Sequence, residues 1–290
     1  MKWIDYVAPR SIKEAVELLS ERGDQARVMA GGTDLLVQMR ARRLQPDLIV
    51  DIKGIPGLNE ITYDDHAGLT LGAAVPCYKV YSNPTVTRVY PGLTDAASLI
   101  GGIQIQGRAS LGGNLCNATP SADSVPVMIA LGATAMIAGP NGTREVAVED
   151  FCIGPGRNVL QRGEMLAAIH FPPPVPNSGA HYIRFTPRNE MDIAVAGVGV
   201  SVVIENGTFK SARLALASVA PTPLFVKEAG DALAGRPVDE DSVRLAAGIA
   251  RDAARPITDM RGTIEYRKHL CEVLTRRALN VAIQRAREIP

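Results

Sequence analysis

Residues 107–123 read Gly107-Arg108-Ala109-Ser110-Leu111-Gly112-Gly113-Asn114-Leu115-Cys116-Asn117-Ala118-Thr119-Pro120-Ser121-Ala122-Asp123. The run holds an adjacent glycine pair, two asparagines, three hydroxyl side chains and one carboxylate. With so little apolar bulk to bury, we expect neither an ordinary helix nor an ordinary strand here. Glycine pairs let backbone amides approach a ligand closely, and such amides favour negative charge. The run fits a loop that holds a phosphate or diphosphate, with Asp123 on a sugar or polyol hydroxyl; a surface turn rich in glycine and asparagine is the alternative.

A second glycine stretch, Ala30-Gly31-Gly32-Thr33-Asp34, occurs nearer the start of the chain. It follows an apolar strand predicted over 26–30, and it precedes a helix predicted over 35–43 and a strand predicted over 47–52. A turn placed in this way presents free backbone amides to an anion. The alternative is a tight turn in which Thr33 or Asp34 caps the helix. Neither G-x-G-x-x-G nor G-x-x-x-x-G-K-[ST] occurs, which disfavours the usual nicotinamide and ATP sites.

The remaining pattern of the first 177 residues mixes helices and strands. Ser11 and Glu14 form a capping box at the start of a helix that Gly23 ends. Gly72 lies inside a strand, which indicates either a close approach to its backbone or a bulge. The other predicted elements are short strands within 61–82, helices over 91–100 and 124–131, a hairpin of 134–138 with 143–148, and a strand over 164–171.

A proline-rich run over 172–179 is the best candidate for a linker. Beyond it, Asn206-Gly207 joins two strand-like runs, 194–204 and 210–220, as a hairpin. Helices are predicted over 223–233, 241–254 and 262–287. In the last helix, Arg276, Arg277 and Arg285 are expected on the solvent side. We therefore divide the chain near residue 177, into 1–177 and 178–290.

Composition excludes several classes of partner. Of the 290 residues, 46% are apolar and 21% are charged, as in ordinary globular proteins. The net charge of +1 and the aromatic content of 4% give no reason to expect nucleic acid or an anionic membrane surface as partner. No apolar run reaches the about 18 residues of a membrane span, and the first residues lack the apolar core of a signal peptide. We expect a cytoplasmic protein. The four cysteines show no C-x-x-C spacing, so no metal site is expected within the chain.

The two glycine stretches, Asp123 and Met191-Asp192-Ile193-Ala194 together resemble the FAD-binding medium subunit of molybdenum hydroxylases. That family includes the flavin subunits or domains of carbon monoxide dehydrogenase, xanthine dehydrogenase and aromatic N-heterocycle dehydrogenases. The resemblance covers essentially the whole chain. It implies an α+β fold: a FAD-binding domain of the vanillyl-alcohol-oxidase type in subdomains of about 1–57 and 58–177, then a C-terminal domain of antiparallel sheet and helices over 178–290.

The resemblance also implies a site for non-covalent FAD. The two glycine stretches would wrap the diphosphate, and Asp123 would bond the ribityl chain or ribose. Met165 or Leu166 would pack on the isoalloxazine, and Arg184 falls where relatives often place a lysine near its pyrimidine edge. The expected cofactor-binding residues are Ala30, Gly31, Gly32, Thr33, Asp34, Gly72, Ser110, Gly112, Gly113, Asn114, Asp123, Met165, Leu166 and Arg184.

Some residues depart from the family pattern. Gln106 and Gly107 stand where relatives often carry arginine and asparagine. Thr33-Asp34 replaces the His-Ser that is typical of carbon monoxide dehydrogenases, which argues against carbon monoxide as the substrate. Ile193 replaces an aromatic residue, so no ring shielding is expected from that position.

The function implied is electron transfer within a complex. A large molybdopterin subunit would oxidise the substrate, and a small [2Fe–2S] subunit would pass electrons to the FAD of this chain, which would deliver them to NAD⁺, oxygen, a quinone or another acceptor. We expect a dimer of such heterotrimers, with no catalytic residue and no metal on this chain. The alternatives are a free-standing FAD-dependent oxidoreductase and a non-catalytic nucleotide-binding scaffold.

Overall fold

The N-terminal residues form a parallel sheet, in a computed structural model that describes residues 3–288. The strand order is β1-β3-β2, with β1 (Asp5–Val7), β2 (Ala26–Met29) and β3 (Leu48–Asp51), and the helices are α1 (Ile12–Arg22) and α2 (Leu35–Arg40). Ser11 begins α1 by accepting a hydrogen bond from the Glu14 N–H, but the Glu14 carboxylate accepts from the Arg10 N–H at 2.8 Å, so only half of the predicted capping box forms. The predicted order of strand, glycine turn, helix and strand is confirmed. The sequence did not predict β1, and α2 ends three residues before Arg43.

A second sheet is antiparallel, in the order β4-β5-β10-β6-β7, and a small hairpin of β8 and β9 lies apart from it. The strands are β4 (Ile61–Asp64), β5 (Gly68–Gly72), β6 (Thr134–Gly139), β7 (Gly142–Ala147), β8 (Cys152–Gly154), β9 (Arg157–Asn158) and β10 (Met165–Phe171). The helices are α3 (Cys77–Ser82), α4 (Pro84–Val89), α5 (Pro91–Ala97), α6 (Ile103–Gln106), α7 (Leu111–Asn117), α8 (Ser124–Ala130) and α9 (Val148–Phe151). The predicted hairpin over 134–148 and the strand before the prolines are confirmed.

Two predictions for this part of the chain are wrong. Residues 111–117 form the helix α7, although the composition of the run predicts neither a helix nor a strand. The reason is local: Leu111 and Leu115 are four residues apart and both buried, and Ser110 caps the first turn by accepting from the Gly113 N–H at 3.0 Å. Residues 77–82 form a helix instead of a strand, because Cys77 and Val80 bury one helical face.

The C-terminal part builds an antiparallel sheet in the order β11-β12-β13-β14, with helices packed against it. The strands are β11 (Ser178–Phe185), β12 (Ala196–Glu205), β13 (Thr208–Ala217) and β14 (Leu224–Phe225), and the helices are α10 (Lys227–Leu233), α11 (Glu240–Ala253) and α12 (Ile264–Glu288). The predicted hairpin at Asn206-Gly207 is confirmed, with φ of 52° and 77°. The sequence missed β11, and residues 224–225 form a strand where the helix α10 was expected to begin. The α+β fold with its antiparallel C-terminal sheet is confirmed.

Each of the three larger sheets has its own hydrophobic core. Met165 belongs to the core beside the first sheet, and its neighbour Leu166 belongs to the core of the second. Because successive residues of a strand face opposite sides, β10 lies between these two cores. The third core fills the space between the C-terminal sheet and its helices. Both glycine stretches therefore lie on elements that buried residues hold in place.

Candidate functional site

The two glycine stretches, about eighty residues apart in sequence, are in direct contact. A Cβ atom added to Gly31 would lie 1.9 Å from the main-chain oxygen of Arg108. The Arg108 side chain returns to the first stretch and donates from Nε to the Gly31 oxygen at 3.0 Å. Farther along, Gln38 of α2 donates to Asn117 at the end of α7 at 3.3 Å. The structure thus brings together the two turns that the sequence analysis singled out.

The four glycines of these turns meet different surroundings. Gly31 packs against the backbone of Arg108, and Gly112 packs against Ala73, whose oxygen would lie 2.4 Å from a Cβ. Gly32 has a φ of +77°, which favours glycine. A Cβ on Gly113 would meet only the Ser110 Oγ within 4 Å, at 3.1 Å. Protein packing explains Gly31 and Gly112, and the positive φ explains Gly32, whereas Gly113 leaves an approach to the backbone open.

Several main-chain N–H groups of the two turns have no protein partner. Among residues 3–288, the amides of Gly31, Gly32, Thr33, Asp34 and Leu35 donate to no acceptor, nor does that of Gly112. Buried or half-buried amides without partners are uncommon in folded proteins. In the second turn, the Gly113 and Asn114 amides are already bound by the side chain and the main chain of Ser110. The free donors therefore come mainly from the first turn, and they suit a ligand with anionic oxygens.

Beneath the first turn lies a polar cluster that the sequence analysis missed. The Lys53 ammonium donates to the Ala30 oxygen at 3.0 Å and to both carboxylate oxygens of Asp51 at 2.7 Å. The Tyr6 hydroxyl also donates to Oδ2 of Asp51, at 2.5 Å. Because β2 and β3 are parallel, the residues that follow β3 lie beside the turn that follows β2. That rule of parallel sheets could have pointed to Lys53.

Asp123 is buried at the junction with the C-terminal part of the chain. Its Oδ1 accepts from the Tyr182 hydroxyl at 2.7 Å, and its Oδ2 accepts from Arg184 at 2.5 Å. Burial raises the pKa of Asp123 to about 6, although Arg184 and the two hydrogen bonds act in the opposite direction. Tyr182 and Arg184 are two apart on β11 and so face the same side. Two residues that were predicted separately as cofactor-binding, Asp123 and Arg184, are thus joined directly, with Tyr182 as a third member.

The segment Met191-Asp192-Ile193-Ala194 lies close to Asp123 and Arg184. Arg184 also donates to the Asp192 oxygen at 3.4 Å, and the Met191 N–H donates to the Gly101 oxygen at 3.4 Å. Glu190 and Met191 both have left-handed backbone conformations, with φ of 55° and 51°. The loop before β12 therefore folds back over the glycines that precede α6.

The remaining predicted site residues occupy varied positions. Asn114 accepts from both the N–H and the hydroxyl of Ser124, which ties the second turn to the residue after Asp123. A Cβ added to Gly72 would lie 2.3 Å from the main-chain oxygen of Gly57 and would also meet the backbone of Leu58. Protein packing therefore accounts for this glycine. Met165 and Leu166 are buried in apolar cores, Thr33 is half-buried and Asp34 is exposed.

Of the two residues that depart from the family pattern, Gln106 is turned inward. Its side chain is buried and donates to the Ser98 oxygen at 2.7 Å. Gly107 is exposed. The Gln106 amide therefore serves the packing of α6 against the end of α5.

Residues 3–288 contain no group of three or more histidine, cysteine, aspartate or glutamate side chains placed to hold a metal ion. In the same range, no helix is both long enough and apolar enough to cross a membrane.

Comparison with known proteins gives matches along nearly the whole chain. Residues 2–174 match the family described as FAD binding domain in molybdopterin dehydrogenase, and residues 181–282 match the CO dehydrogenase flavoprotein C-terminal domain. A putative xanthine dehydrogenase FAD-binding subunit of Escherichia coli is 32% identical over 97% of this chain and 96% of its own length. The carbon monoxide dehydrogenase medium chain of Afipia carboxidovorans is 33% identical, with 98% of both chains covered.

A solved structure is similar over the same extent. A chain of carbon monoxide dehydrogenase from Hydrogenophaga pseudoflava superposes with a TM-score of 0.94 at 33% identity, covering 98% of each chain.

Proposed function

Because the chain belongs to the family of FAD-binding medium subunits of molybdenum hydroxylases of the carbon monoxide and xanthine dehydrogenase type, we propose that it carries electrons within such a complex. In this proposal it accepts electrons from a [2Fe–2S] subunit and passes them to an external acceptor. The observation that supports it best is the direct contact between the two glycine turns, together with the backbone amides of 31–35 and of Gly112 that have no protein partner among the described residues. FAD has a diphosphate that would satisfy such donors.

The residues present fit FAD in three respects. The free amides of 31–35 and of Gly112 provide donors for the diphosphate, and the open side of Gly113 lets phosphate oxygens approach the backbone. Asp123 retains lone pairs on both oxygens for a polyol hydroxyl. Arg184 places a cation beside it. When bound, FAD supplies the redox chemistry, while the protein supplies position and field.

We infer that the partners are those of the relatives. The medium chain of Afipia carboxidovorans belongs to a carbon monoxide dehydrogenase. We propose that this chain likewise assembles with a large molybdopterin subunit and a small [2Fe–2S] subunit, as a dimer of heterotrimers. The substrate would then bind on the large subunit, and this chain would contribute no catalytic acid or base.

The test is purification of the complex through an affinity tag on this chain. We expect two further subunits in equal amounts, molybdenum and iron by metal analysis, and flavin absorbance near about 450 nm. Dithionite also reduces flavin directly, so the comparison is with this chain alone: the flavin should be bleached faster in the complex, because only the complex offers a route through the iron–sulfur clusters. A complex reconstituted with Gly113→Ala in this chain is the control, since it should keep the metals and lose the flavin.

Two results would contradict the proposal. A chain that purifies alone with FAD and reduces it with a substrate of its own would be a free-standing oxidoreductase. A complex in which reduced iron–sulfur clusters leave the bound flavin oxidised would point to a nucleotide-binding scaffold.

A further inference from the structure

Two consecutive carbonyl groups of the first glycine turn are each held by a cation. Lys53 Nζ lies 3.0 Å from the Ala30 oxygen, and Arg108 Nε lies 3.0 Å from the Gly31 oxygen. Neither cation was among the site residues that the sequence predicted. Hydrogen bonds from charged donors are shorter and stronger than neutral ones, so these contacts fix the orientation of both peptide units.

The orientation of a carbonyl also determines that of the next amide. In a trans peptide the C=O of one residue and the N–H of the following residue point in opposite directions, and the described residues contain no cis peptide bond. With Ala30 C=O turned to Lys53, the Gly31 N–H points away from Lys53. With Gly31 C=O turned to Arg108, the Gly32 N–H points away from Arg108. Within residues 3–288 neither amide has an acceptor.

The two cations are themselves held in place. Asp51 binds the Lys53 ammonium through both oxygens and accepts from the Lys53 N–H at 3.0 Å, while Tyr6 anchors Asp51. Lys53 is thereby close to neutralised by its partner. Arg108 has no carboxylate within 4.0 Å among the described residues, so its charge is available to the turn. The hydrogen bond to Asp51 raises the pKa of the Tyr6 hydroxyl, and the positive charge of Arg108 acts in the opposite direction.

We propose that Lys53 and Arg108 are positioning residues for the diphosphate of FAD. They hold two carbonyls of the first turn away from the ligand, so that the Gly31 and Gly32 amides are presented to phosphate oxygens before the cofactor arrives. Arg108 adds an uncompensated positive charge on the same turn. The inference rests on the proposed binding of FAD at the glycine turns. It adds that the carbonyl side of the turn, as well as the amide side, determines affinity for the phosphates.

The experiment uses the full-length chain with FAD as the probe and two variants, Lys53→Met and Arg108→Met. We expect each to raise the dissociation constant for FAD about tenfold, equivalent to ~1.4 kcal/mol. At saturating FAD, the ³¹P resonances of the bound diphosphate should shift in both variants, while the flavin absorbance stays unchanged. Lys53→Arg should restore both the affinity and the resonances. Lys79→Met is the matched control, because Lys79 is also half-buried but donates to Asn59.

A purely structural role would give a different result. Variants that lower the melting temperature but leave FAD affinity and the ³¹P resonances as in the wild type would overturn the inference. If Lys53→Met does not fold, Arg108→Met decides, because Arg108 is exposed and has no carboxylate partner among the described residues. A wild-type chain that binds no FAD would contradict the proposed function instead.

Discussion

Asp123 is a buried carboxylate with one hydrogen-bond donor on each oxygen. Both donors come from β11, so a residue of the N-terminal part depends on the C-terminal part for its partners. The folded-state pKa of about 6 lies above the 3.8 of an unperturbed aspartate. The protonated Asp123 carboxyl group therefore adds to the free energy of unfolding fully below about pH 4. This stabilisation is lost as the pH rises through about 6. Tyr182 opposes this shift by donating to the ionised form.

Removal of the Tyr182 hydroxyl should raise the pKa of Asp123 further. In the apoprotein, the ¹³C carboxyl resonance of Asp123 should titrate near pH 6 in the wild type and at a higher pH in Tyr182→Phe, because one hydrogen bond to the carboxylate is lost. Tyr78→Phe is the control, since Tyr78 is 42% exposed and remote from Asp123. An unchanged titration in Tyr182→Phe would mean that this hydrogen bond does not stabilise the carboxylate.

At the scale of single elements, the helix α7 combines two kinds of glycine. Gly112 is pressed against the Ala73 backbone, where a Cβ would lie 2.4 Å from an oxygen that cannot move without displacing the end of β5. The next residue, Gly113, meets only the Ser110 hydroxyl. Adjacent glycines of the same helix thus differ: Gly112 packs against the protein backbone, and Gly113 leaves its own backbone open to approach.

Alanine substitutions should separate these two roles. Gly112→Ala should lower the free energy of unfolding by about 1–3 kcal/mol, as overpacking of a core does. Gly113→Ala should change stability by less than about 1 kcal/mol and weaken FAD binding, because its methyl group occupies the open approach. Urea denaturation and FAD titration of both variants check this. Equal losses of stability would show that Gly113 is also a packing glycine.

Over the whole molecule, β11 joins the two parts of the chain by polar contacts on its outer edge. Asp95 of α5 accepts from His181 Nδ1 at 2.6 Å and from the Tyr182 N–H at 3.3 Å. It also forms a bidentate ion pair with Arg285 of α12, with N–O distances of 2.6 and 3.0 Å. Arg285 had been expected in solvent with Arg276 and Arg277, yet its side chain is 23% exposed. Burial favours protonation of Asp95, but its hydrogen bonds to His181 and Arg285 outweigh this and lower its pKa.

Asp95→Asn should therefore destabilise the whole protein. At pH 7 we expect a loss of about 3 kcal/mol in the free energy of unfolding, because Arg285 is left without its partner. Because the pKa of Asp95 is lower in the folded protein than in the unfolded chain, its ionised carboxylate stabilises the fold at a pH above the pKa of the unfolded chain. This stabilisation is lost as the pH falls through the pKa of the folded protein. The difference from wild type should thus shrink below about pH 4. Asp231→Asn, in an exposed pair with Lys227, should change stability little. Equal effects of the two substitutions would contradict a special role for Asp95.

The sequence alone determined most features that depend on neighbours within a few residues. The N-cap at Ser11, the turn at Asn206-Gly207 and the β-turn-α-β order around Gly31 follow from local propensity and backbone geometry, and all three are found. Local patterns failed where a few buried residues outweighed a polar composition, as in α7. They also missed β11, an edge strand whose place is set by pairing with β12.

Only the tertiary structure decided which distant residues meet. The contact of Gly31 with Arg108, the Lys53–Asp51–Tyr6 cluster and the pairing of Asp123 with Arg184 each join residues from separate elements. Such contacts arise because sheets and cores bring strand ends together regardless of sequence separation. The sequence thus predicted a pair of glycine turns and the residue types of a cofactor site. The packing of three sheets decided that the two turns contact one another, and that two cations hold the carbonyls of the first turn.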